Sequence, residues 1–275
     1  MKNVLIIARK EIQEGLRNRW VLATTLLLAA LALTLTFLGS APTGNVGAGA
    51  LDVVIVSLSS LTIFLVPLIA LLISHDAIVG EMERGTMLLL LSYPIGRWQV
   101  VMGKFIGHVA ILSFATLLGY GAAAAALAVT EGAIDSSSLT AFGSMILSSI
   151  LLGGVFVAIG YLISALVAER GTAGGIAIGV WLLCVLIYDM ALLGLLVVDQ
   201  GKTVSGGLLN ALLLANPTDV YRLLNLGSGT AGALSGMAGV AENAALGPAA
   251  LVAALVAWTL VPLTAAAVVF SRREL

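Results

Sequence analysis

Long apolar runs, each at least as long as a bilayer crossing, alternate along this chain with short polar breaks that hold most of its charge. Six such runs occupy residues 20–38, 53–74, 101–130, 145–168, 172–198 and 248–270. A helix rising about 1.5 Å per residue crosses a hydrocarbon core of about 30 Å in about 20 residues, so each run predicts a transmembrane helix. The third and fifth runs exceed that need and are expected to tilt, project or break. Pro67 lies inside the second and Pro262 inside the sixth. Each withholds a backbone N–H and predicts a kink. The expected fold class is all-α: a polytopic membrane protein with residues 1–19 as a leader helix and 20–275 as one six-helix transmembrane domain.

The breaks carry patterns of their own. In the leader, Leu5, Ala8, Ile12 and Leu16 fall on one helical face, with Lys10, Gln13, Glu14 and Arg17 opposite. That predicts an amphipathic helix lying on the membrane surface. The leader is longer and more mixed than the basic region of a secretory signal, so the first run reads as a retained span. The longest break, 199–247, contains NPTDVYRLLNL. Asn216 suits a cap, Pro217 the first helical position and Asp219 the positive end of the helix dipole, so a helix is expected to start at Asn216. Residues 227–241, rich in Gly, Ala and Ser, read as a loose connection.

Composition sharpens this reading. The chain is 60% hydrophobic, 10% charged and has a mean hydropathy of +1.12, which excludes an ordinary soluble domain. Cys184 is the sole cysteine, so neither an internal disulfide nor a thiolate cluster is possible. Of 13 lysines and arginines, all but Lys202 and Arg222 fall on the side that holds both termini. The positive-inside rule therefore places the termini and the 75–100 segment in the cytoplasm and 199–247 outside. That segment gathers His75, Asp76, Glu81, Glu83 and Arg84 within ten residues, where charge is otherwise scarce.

Catalytic chemistry finds little support. His75 and His108 each lack a second histidine at helical ligand spacing, so His108 reads as a hydrogen-bonded interior histidine and Cys184 as a small apolar filler. No metal site is expected. Asp189 stands alone in the fifth run, about 28 Å along a helix from Arg170, which suits an interfacial carboxylate. Beside it, Tyr188 suits an aromatic anchor. The segment 194–203, GLLVVDQGKT, imitates a phosphate-binding loop, but it is two residues too long and Leu196 stands where a glycine is required. Glycines repeat at helical spacing at Gly171, Gly175 and Gly179 and again at Gly103 and Gly107. Such ladders let helix backbones approach closely, and contact within one chain is the default expectation, with contact between two chains the alternative.

The stretch EMERGTMLLLLSYPIGRWQVVMGK at 81–104 resembles the signature region of the ABC-2 group of ABC transporter permeases. The matching positions are Glu81, Glu83, Gly85, Thr86, the leucines 88–91, Pro94, Arg97 and Lys104. The blocks ARKEIQEGLRNRW, HDAIVGE, TMLLLLSYPIGR and GKFIGH are similar to the permeases of nitrous oxide reductase maturation systems. The resemblance implies a homodimer of permeases with two separate ATPase subunits, which bind the ATP and Mg, and no cofactor on this chain. Glu81, Glu83, Arg84, Gly85 and Thr86 are then candidates for ATPase coupling, with Gly85 allowing a sharp turn. It also implies a periplasmic β-helical partner, for which Asn216, Pro217, Asp219, Tyr221 and Arg222 are the candidate contact. Through that partner a copper chaperone and nitrous oxide reductase follow, with copper or a sulfur species delivered. The rival readings are an ABC-2 exporter of a lipid or other hydrophobic substrate, an intramembrane enzyme and a structural anchor.

Overall fold

A computed structural model describes residues 2–17, 19–39, 50–131, 136–199, 205–227 and 246–273. Every regular element among them is helical. In chain order they are α1 (Lys2–Leu16), α2 (Arg19–Gly39), α3 (Ala50–Ser74), the short α4 (Val79–Glu83) and α5 (Thr86–Leu91), then α6 (Arg97–Glu131) and α7 (Ser136–Leu166). α8 (Arg170–Leu182) passes through one π-helical turn (Leu183–Ile187) into α9 (Tyr188–Asp199). α10 (Gly206–Leu214), α11 (Pro217–Leu226) and α12 (Pro248–Arg272) complete the set. The expected connections at 40–49 and 228–241 lie outside the described residues.

Among the described residues, five helical stretches are long and apolar enough to cross a membrane: Val53–Glu83, Arg97–Ala126, Leu139–Leu166, Arg170–Asp199 and Pro248–Arg272. The first expected span falls on α2, whose described apolar stretch is the shorter Leu22–Thr36. Hydroxyls within the spans bond back to the carbonyl one turn earlier. Thr36 does so to Ala32, Thr62 to Leu58 and Thr116 to Leu112, so these donors are not left unpaired in apolar surroundings. The fifth span does not break. One π-helical turn interrupts the α-helical pattern, and the helix continues to Asp199.

α7 is the hub, packed against α3, α6 and α12, with Phe156 and Tyr161 fully buried. α1 lies along α6 rather than apart from the bundle. Gly103 and Gly107 make this possible. A Cβ on Gly103 would stand 2.9 Å from the Val4 carbonyl oxygen, and one on Gly107 would stand 2.5 Å from the Glu11 Cβ. The buried face of α1 is Ile7, Ala8 and Glu11, rotated from the expected stripe, while Leu5 and Leu16 are exposed. Among the described residues, nothing packs on the second glycine ladder. A Cβ at Gly171, Gly175 or Gly179 would meet nothing within 4 Å, because α8 turns Ala173 and Ala177 inward instead.

Candidate functional site

The elbow between α3 and α6 is built from four separate anchors. The Ser164 hydroxyl of α7 accepts hydrogen bonds from the Ile78 and Val79 N–H groups at 3.0 Å each, satisfying donors at the start of α4. Gly85 then adopts φ 70, the left-handed conformation that reverses the chain into α5. Met87 is fully buried and pins α5 down. At the far end, the Glu83 carboxylate accepts from the Arg170 N–H at 2.7 Å, and Asp76 pairs with the Arg170 guanidinium at 3.0 Å. α8 therefore begins on the elbow.

Beneath the elbow is an ionic cluster. The Lys104 ammonium stands 2.8 Å from Glu11 of α1 and 2.8 Å from Glu81 of α4, with its own side chain 4% exposed. The Tyr161 hydroxyl bonds to His108 Nδ1 at 2.9 Å, and His108 Nε2 lies 3.7 Å from Glu11. Burial pushes the Glu11 carboxyl up, but the charge and hydrogen bond of Lys104, with His108 and Lys10 beyond, reverse this and hold it below the ordinary carboxylate value. One buried cation thus ties α1, α4 and α6 together. Displacing α4 alone would strand a carboxylate or the ammonium, and breaking such a buried pair costs about 3–5 kcal/mol. The cluster forms part of the wall of a cavity of about 610 Å³ that also meets Glu14, His75, Asp76, Arg84 and Arg170.

These contacts revise the candidate coupling residues. Glu81 faces inward to Lys104, while Glu83 is exposed and accepts from the Arg170 N–H at the start of α8. The Thr86 hydroxyl donates to the Glu81 carbonyl at 3.2 Å. The outward face of the elbow is formed by Arg84 together with Leu88, Leu89 and Tyr93. Glu11 was not among the sequence candidates.

A second cluster joins α11 to the fifth span. Arg222 Nη1 donates to Asp189 Oδ1 at 2.7 Å and to Asp219 Oδ1 at 2.8 Å, while Nη2 bonds the other Asp189 oxygen. The Cys184 carbonyl, inside the π-helical turn, accepts from Asn216 Nδ2 at 2.8 Å and Thr218 Oγ1 at 2.9 Å. Asn216 caps α11 as expected, its side-chain oxygen accepting from the Thr218 N–H at 3.3 Å. The Tyr188 hydroxyl donates to the Leu212 carbonyl at 2.7 Å. Burial and the adjacent Asp189 carboxylate push Asp219 up to about 7, with Arg222 and Asn216 opposing.

Most of the candidate partner-contact set is enclosed. Asn216, Pro217, Asp219 and Tyr221 are buried inside the chain, and only Arg222, with 18% of its side chain exposed, reaches solvent. The reason is that α11 packs on α3, α7 and α12, and its polar side chains find their partners there and on the fifth span. Asp189 is a paired carboxylate.

The family profile described as ABC-2 family transporter protein matches residues 5–275. A probable ABC transporter permease protein NosY from Stutzerimonas stutzeri is 48% identical over 275 residues, covering 99% of each chain. A protein of the same description from Pseudomonas aeruginosa PAO1 is 46% identical over 276 residues, covering 100% of each.

Proposed function

The chain belongs to the ABC-2 family of transporter proteins, and on that premise we propose that it is the membrane permease of an ATP-driven assembly serving nitrous oxide reductase maturation. α2, α3, α6, α7, α8–α9 and α12 make six crossings. Both termini and the elbow lie in the cytoplasm, α1 rests at the inner membrane surface, and the membrane is the bacterial inner membrane. Two copies associate, and the bare flank of α8 bearing Gly171, Gly175 and Gly179 is the face available to the second. A separate ATPase subunit, binding ATP and Mg, docks on Arg84, Leu88, Leu89 and Tyr93. A β-helical partner sits on the opposite side and handles the copper or sulfur species.

The observation that carries this reading is the tie from Glu81 through Lys104 to Glu11. A push on α4 is passed to α1 and α6 because slipping costs a buried charge its partner. The same elbow holds Arg170 at the head of α8, whose continuation meets α11 through Asp189 and Cys184. Movement of the outer partner, rather than ion conduction through the spans, is the output.

The test uses the reconstituted complex of permease, ATPase and outer partner. Arg84→Glu should lose ATPase co-purification. Glu81→Gln should keep the ATPase bound yet lower turnover stimulated by the outer partner about tenfold. Unchanged stimulation in Glu81→Gln, or ATP-dependent copper movement into vesicles while the outer partner stays rigid, would count against the reading.

A further inference from the structure

The last turns of α7 and α12 end side by side around an open cleft of about 370 Å³. Ala165, Leu166 and Val269 form its apolar wall, and Arg272 and Arg273 its polar one. Leu166 is 62% exposed and Val268, on the next position of α12, 50% exposed, so the cleft borders apolar surface of two spans. We propose that this cleft binds the phosphodiester headgroup and first acyl carbons of an anionic phospholipid.

Helix ends explain how the arginines gather. The final carbonyls of a helix lack intrahelical donors and together carry about half a negative charge. Arg97 donates to the Phe270, Ser271 and Arg273 carbonyls at the end of α12, and Arg273 Nη1 donates to the Ala165 carbonyl of α7 at 2.9 Å. The exposed Arg272 guanidinium is bonded to neither helix end. Among the described residues, no carboxylate pairs with any of these three arginines. Three guanidinium charges against two half-charges leave a surplus of about two positive units. The elbow cavity differs, because Lys104 and Arg170 there are paired with acids on its own walls.

The ligand chemistry follows from that surplus. A phosphodiester carries one negative charge and accepts parallel N–H bonds from a guanidinium fork. Arg272 offers its whole fork, and Arg273 the donors not spent on Ala165. A zwitterionic headgroup would bring an ammonium as well, and the cleft has no carboxylate to receive it. A free phosphate ester would leave Leu166 and Val269 uncovered, whereas an acyl chain runs on from the headgroup along the apolar flank. The volume lies at the lower end of ligand cavities, which suits one headgroup and its first chain carbons rather than a whole lipid. Basic pockets between spans at the cytoplasmic surface lodge anionic headgroups, and the proposed topology puts both helix ends there.

Lipid retention is read by native mass spectrometry on the isolated full-length chain, so its outcome does not depend on ATPase coupling. The chain is purified in detergent doped with equal amounts of palmitoyl-oleoyl phosphatidylglycerol and phosphatidylcholine. The first lipid retained should be phosphatidylglycerol with about tenfold preference, the worth of one charge-assisted hydrogen bond. Arg272→Gln, a change at an exposed side chain, should cut that preference to about threefold or less. Arg19→Gln, at an exposed arginine on α2, should leave it unchanged. Leu166→Trp, which fills the apolar wall without altering charge, should lower phosphatidylglycerol retention at least about fivefold. Free glycerol 3-phosphate at equal concentration should fail to displace the lipid, and Glu274→Gln should leave retention within about threefold. Equal retention of the two lipids, an unaltered preference in Arg272→Gln, an equal loss in Arg19→Gln, unaltered retention in Leu166→Trp, or displacement by glycerol 3-phosphate overturns the proposal. So does a larger rise in Glu274→Gln, which would make the chain's own acidic end the occupant. If Leu166→Trp does not fold, Arg272→Gln decides alone.

Discussion

Replacing Lys104 by Met probes the tie on which the coupling reading rests. The side chain is 4% exposed and stands 2.8 Å from both Glu11 and Glu81, which are 8% and 12% exposed. Lys104→Met leaves two carboxylates enclosed without their cation, and removing one partner of a buried pair costs about 3–5 kcal/mol. At about 2–4 °C per kcal/mol, the unfolding midpoint in detergent should fall by roughly 10 °C. Adding Glu11→Gln and Glu81→Gln removes all three charges, and replacing a whole buried cluster by neutral groups is often close to neutral. The triple variant should therefore recover most of the loss.

The pH dependence should reverse as well. In the native chain Glu11 is held below its ordinary value of 4.5. Its contribution is thus complete above about pH 4.5 and is lost as pH falls through the lower folded value. Without Lys104, burial dominates and raises Glu11, so on acidification from pH 7 toward 5 the variant should gain more stability than the native chain, whose slope there comes from Asp219 alone. A midpoint shift below about 2 °C, or a triple variant no better than the single, would show that water reaches these carboxylates and that α4 moves without constraint.

Two further outcomes follow from the other polar contacts. Arg222→Leu removes the guanidinium shared by Asp189 and Asp219 and should cost about 3–5 kcal/mol in detergent unfolding, with Asp219→Asn restoring part of it. Because Asp219 is raised from 3.8 to about 7, its contribution is present below pH 3.8 and is lost as pH rises through 7. Asp219→Asn should remove that slope, and a slope that persists in the variant refutes the assignment. Arg97 donates to the carbonyls of Phe270, Ser271 and Arg273 at the end of α12 and lies over the Phe270 ring at 5.7 Å. Arg97→Ala should cost about 1.5–3 kcal/mol. It should also speed amide exchange at the end of α12, with unchanged exchange there as the contrary result.

Crossing helices were legible because apolar length is a direct readout of bilayer thickness. The run 248–270 became Pro248–Arg272, and 101–130 became Arg97–Glu131. What was not legible was rotation about each helix axis. The stripe at Leu5 and Leu16 suited a membrane surface, yet the inward face of α1 is Ile7, Ala8 and Glu11 because Gly103 and Gly107 offer it a groove. A signal was present: Gly103, Lys104, Gly107 and His108 share one face of α6, a close-approach surface carrying basic groups. Such a face calls for a helix with an acid in register, and α1 has Glu11. For Glu81 and residues 216–222, polarity alone does not tell a buried partner from an exposed contact. In a chain with 10% charge, buried cations recruit the nearby acids first, and the surface keeps what is left.

The two ionic clusters have the same stoichiometry, two carboxylates to one strong cation, yet opposite consequences for their acids. At the elbow, the Lys104 ammonium sits between Glu11 and Glu81, and Lys10 and His108 stand within 3.7 Å of Glu11, so burial is outweighed and Glu11 stays ionised. At α11, both arms of the Arg222 fork engage Asp189, leaving Asp219 a share of one nitrogen and a neighbouring like charge. Burial then prevails and pushes Asp219 up to about 7. The clusters are joined by α8 and α9, with Arg170 and Asp189 about 28 Å apart along the helix. Acidity near neutrality therefore alters the charge of the α11 end while the elbow end keeps its own. Under the proposed coupling, a link whose charge is fixed at the elbow and titratable at α11 would pass the same push to a differently bonded α11 on either side of pH 7.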